Sequence, residues 1–244
     1  MKKLFRYSGN KSRLLQLYRK PTSEIKRVVE PYLGSGIYTL HSDLPGFGYE
    51  TNGDIVAMWH WLSSCTEDEL VELKRLFDEA KIKESKPDVR SLNLARGPQT
   101  YVRINATSVY TGQLTSWKIY PQHQLPIDET ISLLPRLKDI EVVHGSANQY
   151  LHRDGDLLFI DPPYIGTFGG YVEKSVKSHE ENYDPKSTME LIRSTSNPVI
   201  FTYGTNALQI FPELKWEIVK NVKVPNLRRG GTVDRVEWVS YINW

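Results

Sequence analysis

Four residues carry the densest chemistry in this chain: Asp161-Pro162-Pro163-Tyr164. A carboxylate stands beside a peptide carbonyl whose neighbour, a proline, has no N–H. Together they make an acceptor-only surface. The prolines stiffen that surface, and the tyrosine adds a flat π face. A planar base with an exocyclic amino group fits it, with N–H donors into the acceptors and the ring against Tyr164. Acceptors on both amine hydrogens favour the tetrahedral nitrogen that forms as a delocalised amine attacks an electrophile. Asp161 need not be a strong base, because an alkylated amine loses its proton readily. The same residues also suit a strand that ends in a proline-stiffened turn with a surface tyrosine.

The elements that must position this motif can be read outward from it. Leu157-Leu158-Phe159-Ile160 is an apolar run that reads as a buried strand. It places Asp161 at a strand's carboxyl edge, where open α/β sheets bind ligands. A second strand-loop-helix unit spans residues 26 to 42. Lys26 to Glu30 reads as the strand, Pro31 to Gly36 as a tight loop and Ile37 as a helix start. Gly34 and Gly36 let backbone approach a ligand closely. Glu30 suits an ammonium, and a helix N-terminus suits a carboxylate, so an amino acid moiety would meet both. The third glycine of a dinucleotide fingerprint is missing, which argues against a nicotinamide cofactor. A G-x-G loop also occurs as a plain turn.

Phe47 to Asn52 reads as a second strand whose tip carries Glu50, well placed for ribose hydroxyls or simply exposed. Ile140 to Ser146 reads as a third strand, the run before Asp161 as a fourth, and Pro198 to Tyr203 as a fifth. Lys215 to Val224 and Val236 to Ile242 alternate apolar and polar residues and predict a closing antiparallel pair.

With these motifs in order, the chain resembles the Dam-type, α-group adenine-N6 DNA methyltransferases. The resemblance runs through Phe5-Arg6-Tyr7-Ser8-Gly9-Asn10-Lys11, Glu30-Pro31-Tyr32-Leu33-Gly34-Ser35-Gly36, Glu50-Thr51-Asn52-Gly53-Asp54 and the Asp-Pro-Pro-Tyr motif. It implies S-adenosylmethionine as methyl donor, double-stranded DNA as partner, and a target adenine flipped out of the duplex. It implies that Tyr7, Lys11, Glu30, Tyr32, Gly34, Gly36, Glu50 and Asp161 line the cofactor side. Asp161, Pro162 and Tyr164 would hold the adenine. The implied fold is α/β and Rossmann-like: a mixed seven-stranded sheet with helices on both faces. Residues 1–58 and 126–244 would form the catalytic domain, and 59–125 an inserted target-recognition region. Three positions depart from the pattern. Asn10 replaces a glycine, Ser146 stands where many relatives have an acid, and Ala106 replaces the arginine of an L-N-R pattern.

Composition narrows the alternatives. The chain has 244 residues and a formal net charge of +2, too small to argue for nucleic acid by itself. The distribution is more telling. Residues 85 to 125 hold five Lys/Arg (Lys86, Arg90, Arg96, Arg103, Lys118) against Asp88, with Tyr101, Tyr110, Trp117 and Tyr120 interleaved. Cations for phosphates and aromatics near bases form a nucleic-acid footprint. A solvated, loop-rich insertion has the same composition. The expected DNA contacts are Arg90, Arg96, Arg103, Tyr110 and Lys118. Arg228 and Arg229 join them in a basic hairpin, which could equally protect an edge strand. Gly166 to Tyr183 reads as a long loop over the active site, or as plain surface chain. Thr66 predicts the cap of a helix over 65–84, with Leu70, Leu73, Leu76 and Phe77 as its apolar stripe.

Cys65 is the only cysteine and has no activating neighbour, so it reads as a small helix residue. No Cys/His spacing suggests a metal, and no segment reads as an apolar leader or membrane span. A reducing, cytoplasmic compartment is expected. Nothing in the chain selects between a monomer and a weak dimer. Competing functions are an amino methyltransferase acting on RNA and a non-catalytic DNA-binding protein on a methyltransferase scaffold. A protein-glutamine methyltransferase would usually begin the motif with Asn.

Overall fold

The computed structural model describes residues 4–5, 11–107, 109–110, 113–114, 116–164, 183–225 and 232–244. Of 109–110, 113–114, 222–225 and 232–235 it describes the backbone alone. The strands are β1 (Arg27–Glu30), β2 (Gly46–Glu50), β3 (Val109–Tyr110), β4 (Gln113–Leu114), β5 (Ile140–His144), β6 (Asp156–Ile160), β7 (Val199–Tyr203), β8 (Glu217–Pro225) and β9 (Thr232–Ile242). The helices are α1 (Ile37–Leu40), α2 (Gly53–Ser64), α3 (Glu67–Lys83), α4 (Arg96–Ala106), α5 (Ile127–Leu137), α6 (Pro185–Ser194) and α7 (Ala207–Ile210). A mixed seven-stranded sheet has the order β5-β2-β1-β6-β7-β9-β8, and β3 and β4 pair separately. Strand order therefore reverses between β1 and β6, which defines a topological switch point. Among the described residues no helix is long and apolar enough to cross a membrane.

Two compact units divide the chain: residues 1–13 with 33–145, and residues 14–32 with 146–244. The segment 59–125 lies wholly in the first.

In the first unit β2 and β5 run parallel, with Gly46 opposite Ile140 and Glu50 opposite His144. Helix α3 begins on a capping box, with Thr66 and Glu69 each bonding the other's backbone N–H. Leu70, Leu73 and Phe77 are buried on its inner face, while Leu76 is half-buried. On the outer face Arg75 pairs with both Glu72 and Glu79. Helix α4 lies inside the stretch 85–125, which the sequence left open between a nucleic-acid footprint and a loop-rich insertion. Tyr101 is fully buried in α4, meets Trp61 edge-on at 5.4 Å and bonds Thr130 on α5 at 2.7 Å. It is a core residue, not a member of a base-facing aromatic set.

In the second unit β1, β6 and β7 are parallel, and β9 is antiparallel to both β7 and β8. Residues 157–160 of β6 are at most 1% exposed, and all of β7 is buried. Parallel central strands are covered on both faces, which is why these segments read as continuous apolar runs. Each such side chain contributes roughly 1.5–3 kcal/mol through burial. The register at the switch point is pinned by Arg27 and Asp156, which face each other across β1 and β6. Arg27 donates to Asp156 through two hydrogen bonds of 2.9 and 2.7 Å, and Tyr150 Oη donates to the same carboxylate at 2.7 Å.

Candidate active site

The second unit carries the Asp-Pro-Pro-Tyr motif. Asp161 follows the last residue of β6, beside the carboxyl end of β1, where Glu30 is 2% exposed. Both carboxylates thus sit at the switch point, where ligands bind in open α/β sheets. Asp161 is locked from two sides. Thr202 Oγ1, from β7, donates to Asp161 Oδ1 at 2.8 Å, and Tyr164 Oη donates to the same oxygen at 2.9 Å. Tyr164 Oη also lies 3.1 Å from Glu237 Oε2 on β9. The Tyr164 ring packs 4.7 Å from that of Tyr203, tilted by 45°. Burial, and then the charges of Asp161 and Glu237, push the Tyr164 phenol well above its ordinary pKa. It stays neutral and a donor across the working range. Pro162 is buried.

Tyr32 was expected on the cofactor side. Its hydroxyl meets Thr188 of α6 at 2.8 Å, and Tyr183 meets the same oxygen at 3.0 Å. The polar end of Tyr32 is therefore occupied by α6.

The first unit carries the glycine loop and the tip of β2. Gly34 and Gly36 have φ of 46° and 55°, the left-handed region that glycine tolerates best. A Cβ on Gly36 would fall 2.8 Å from the Trp59 ring, and Trp59 Nε1 donates to the Gly34 carbonyl at 3.2 Å. One tryptophan from α2 thus fixes the loop's shape. Helix α1 is a single turn, so its dipole is a weaker anchor for a carboxylate than the sequence suggested. Glu50 is 8% exposed rather than a free surface acid. Its carboxylate accepts from the Asn52 backbone N–H at 2.8 Å and also from the N–H groups of Gly34 and Thr51. Burial pushes its pKa up, and these hydrogen bonds pull in the opposite direction. Glu50 therefore ties the end of β2 to the glycine loop. Lys11 is 3% exposed in the same unit.

The basic middle segment is more self-paired than its sequence implied. Arg90 grips Asp88 with two hydrogen bonds of 2.9 and 2.8 Å. Lys118 lies 3.8 Å from Glu84 and 4.0 Å from Asp88. Arg96 donates to Asp54 at 2.7 Å. Arg103 is only 7% exposed, with its guanidinium 3.6 Å over the Trp117 ring and 3.9 Å from Asp54. Arg90, Lys118 and Arg96 keep exposed side chains, so a phosphate could still reach them. Arg103 is buried by Trp117, a packing that charge patterning alone could not reveal.

Tyr7, Arg228 and Arg229 lie outside the described residues, as do residues 166–182 of the loop expected over Gly166 to Tyr183 and the side chain of Tyr110. Cys65 is buried at the end of α2, and burial raises its thiol pKa to about 11, against a nucleophilic role. Among the described residues no group of three or more His, Cys, Asp or Glu could hold a metal ion.

The chain is similar to a DNA adenine methylase. That relative is the retron Ec67 DNA adenine methylase of Escherichia coli, 22% identical over 229 residues that cover 85% of this chain and 79% of that protein. No family model matches the chain.

Sequence reasoning missed Thr202 and Glu237. Each comes from a strand distant in the chain and reaches Asp161 or Tyr164 only through strand pairing. Thr202 sits in a run, Val199 to Tyr203, that reads simply as buried β-structure.

Proposed function

We propose that this chain is an S-adenosylmethionine-dependent DNA adenine methyltransferase that methylates the N6 amino group of an adenine flipped out of duplex DNA. The observation that carries this reading is the carboxylate of Asp161 at the switch point, oriented by Thr202 beside the Tyr164 ring. The similarity to a DNA adenine methylase supports both the reaction and DNA as substrate.

The residues fit the cofactor chemically. Its amino acid end and its ribose present donors, and Glu30 and Glu50 offer buried carboxylates at the ends of β1 and β2. The glycine loop brings bare backbone to a ligand with positive φ at both glycines. When bound, the cofactor supplies a methyl group on a cationic sulfur. Glu30 would accept from the ammonium, Glu50 from ribose hydroxyls, and Gly34 and Gly36 would present backbone. Lys11, Tyr7 and the Tyr32 ring would complete that side.

Asp161 and the carbonyl beside Pro162 accept the two amine hydrogens of the base. This favours a tetrahedral nitrogen with its lone pair free for the methyl carbon. The cofactor would supply that carbon, its sulfur keeping the C–S electron pair, and Asp161 would pass the one proton released by the methylated amine to water. Tyr164 stacks on the base. Arg90, Arg96 and Lys118 in the region 59–125, with Arg228 and Arg229, would hold phosphates, exchanging their present carboxylate partners for DNA. Tyr110 would lie near the bases, and Arg103 would hold Trp117 in place.

Labelled methyl transfer to unmethylated duplex DNA and to RNA of the same sequence tests this. Label in duplex DNA is expected. Label in RNA alone would overturn the DNA assignment.

A further inference from the structure

The Tyr164 hydroxyl stands between two carboxylates, 2.9 Å from Asp161 Oδ1 and 3.1 Å from Glu237 Oε2. A phenol has one hydrogen, so it cannot serve both fully at once. Asp161 Oδ1 already receives the Thr202 hydroxyl at 2.8 Å. With Tyr164 as a second donor, both lone pairs of this oxygen are taken. Glu237 lies one position from Trp238, which pairs with Tyr203, so β9 holds its backbone firmly. Tyr164 is further confined by Tyr203 at 4.7 Å.

We infer that Glu237 is a positioning residue: it takes the Tyr164 hydroxyl when Asp161 Oδ1, still held by Thr202, accepts the amine of the target base. The ring then keeps its place as a stacking face while Asp161 Oδ1 becomes available. The move is short, because both acceptors already lie within hydrogen-bond reach of one oxygen. A charged acceptor suits the role, since hydrogen bonds to a carboxylate are about twice as strong as neutral ones. Burial keeps the phenol neutral, so the hydroxyl always has a hydrogen to hand over. This inference rests on the methyltransferase reading and adds a residue to it.

A double-mutant cycle on the full chain tests it, using Glu237→Ala, Tyr164→Phe and the pair. The readouts are kcat, the KM for S-adenosylmethionine, and the fluorescence of duplex DNA carrying 2-aminopurine at the target base. Glu237→Ala is expected to lower kcat about tenfold, the size expected for losing one hydrogen bond to a charged group. The cofactor KM should stay within about twofold, and the 2-aminopurine signal should weaken. In the Tyr164→Phe background, with no hydroxyl to receive, the same substitution should cost far less than in the wild type. If Glu237→Ala does not fold, Glu237→Gln replaces it in the cycle, with a smaller loss expected because the amide oxygen still accepts. Additive losses, or wild-type kinetics in Glu237→Ala, would overturn the inference while leaving the methyltransferase reading standing. Absence of methyl transfer by the wild-type chain would overturn both.

Discussion

Thr202 on β7 donates to Asp161 at the end of β6 across 2.8 Å, and this bond fixes the carboxylate that the proposed chemistry depends on. The two residues belong to neighbouring parallel strands, with Ile160 paired to Phe201. Thr202 is 1% exposed, so its hydroxyl has little freedom to turn elsewhere. Replacing Thr202 by Val keeps the shape and removes the donor. We expect kcat to fall about tenfold, the scale of one hydrogen bond to a charged group. Removing the carboxylate itself in Asp161→Ala should cost at least about 10²-fold, as for other preorganised electrostatic groups. Calorimetry should find S-adenosylmethionine binding kept in Thr202→Val and partly kept in Asp161→Ala. An Asp161→Ala enzyme with undiminished turnover would refute the role given to this carboxylate.

Tyr164 is expected to act on the base rather than on the methyl donor. Tyr164→Ala should weaken capture of the flipped adenine by about 1–3 kcal/mol, the value of one lost stacking partner. The 2-aminopurine signal of target-substituted DNA reports this directly. Equal signals from wild type and variant would move the stacking role elsewhere.

Glu50 links folding stability to pH. Burial raises its pKa above the ordinary 4.5, so the folded chain holds this proton more tightly than the unfolded chain does. The sign follows by linkage. The ionised carboxylate costs stability, fully so above the raised folded value, and the cost vanishes below 4.5. Glu50→Gln should therefore melt at or above the wild-type temperature at pH 7, with the difference closing toward acid pH. Glu50→Ala should raise the KM for S-adenosylmethionine. A Gln variant clearly less stable than wild type at pH 7 would show that the backbone hydrogen bonds outweigh burial.

Gly36 is constrained twice. Its φ of 55° lies in the left-handed region, and an added Cβ would meet Trp59 at 2.8 Å. The backbone term alone is roughly 1–2 kcal/mol. Gly36→Ala should lower the melting temperature and weaken cofactor binding together. Pairing it with Trp59→Leu should relieve the steric part but not the backbone part. A Gly36→Ala protein as stable as wild type would contradict the loop's assigned shape.

The basic segment holds both a buried cation and exposed ones, and the exposed ones are proposed to meet DNA. Arg103 is buried against Trp117, whereas the Lys118 side chain is 54% exposed. Lys118→Ala should reduce the slope of log K against log salt by about 1 and leave melting unchanged. Arg103→Ala should lower stability by about 1–3 kcal/mol, because it removes a packed cation–π partner. The reverse pattern would exchange the two roles.

What the sequence disclosed, and what it hid, follows from how local each signal is. β6 was legible because a central parallel strand is apolar on both faces, and the motif after it is contiguous. The start of α3 was legible because its capping box lies within four residues, Thr66 to Glu69. α4, α5 and α6 were not anticipated. Pro135 sits inside α5, and α4 starts at Arg96 without a side-chain cap, so for these two the usual boundary signals were absent or misleading, whereas α6 does carry an Asp184 cap and Pro185 at its start. Glu237 was invisible for a different reason. It is one of several polar residues in an alternating strand, and only the antiparallel pairing of β7 with β9 brings it to Tyr164, 73 positions away. Arg103 and Tyr101 looked alike as members of a basic, aromatic stretch, yet tertiary packing buried both.

The central claim is that the end of β6 directs methyl transfer to adenine N6, and nucleoside analysis tests it most directly. Unmethylated duplex DNA would be incubated with labelled S-adenosylmethionine and either wild-type protein or Asp161→Ala, then digested and its nucleosides separated. Label is expected in N6-methyldeoxyadenosine with the wild type and almost none with the variant. Label in methylcytosine, or no label in any nucleoside although the cofactor binds, would contradict it.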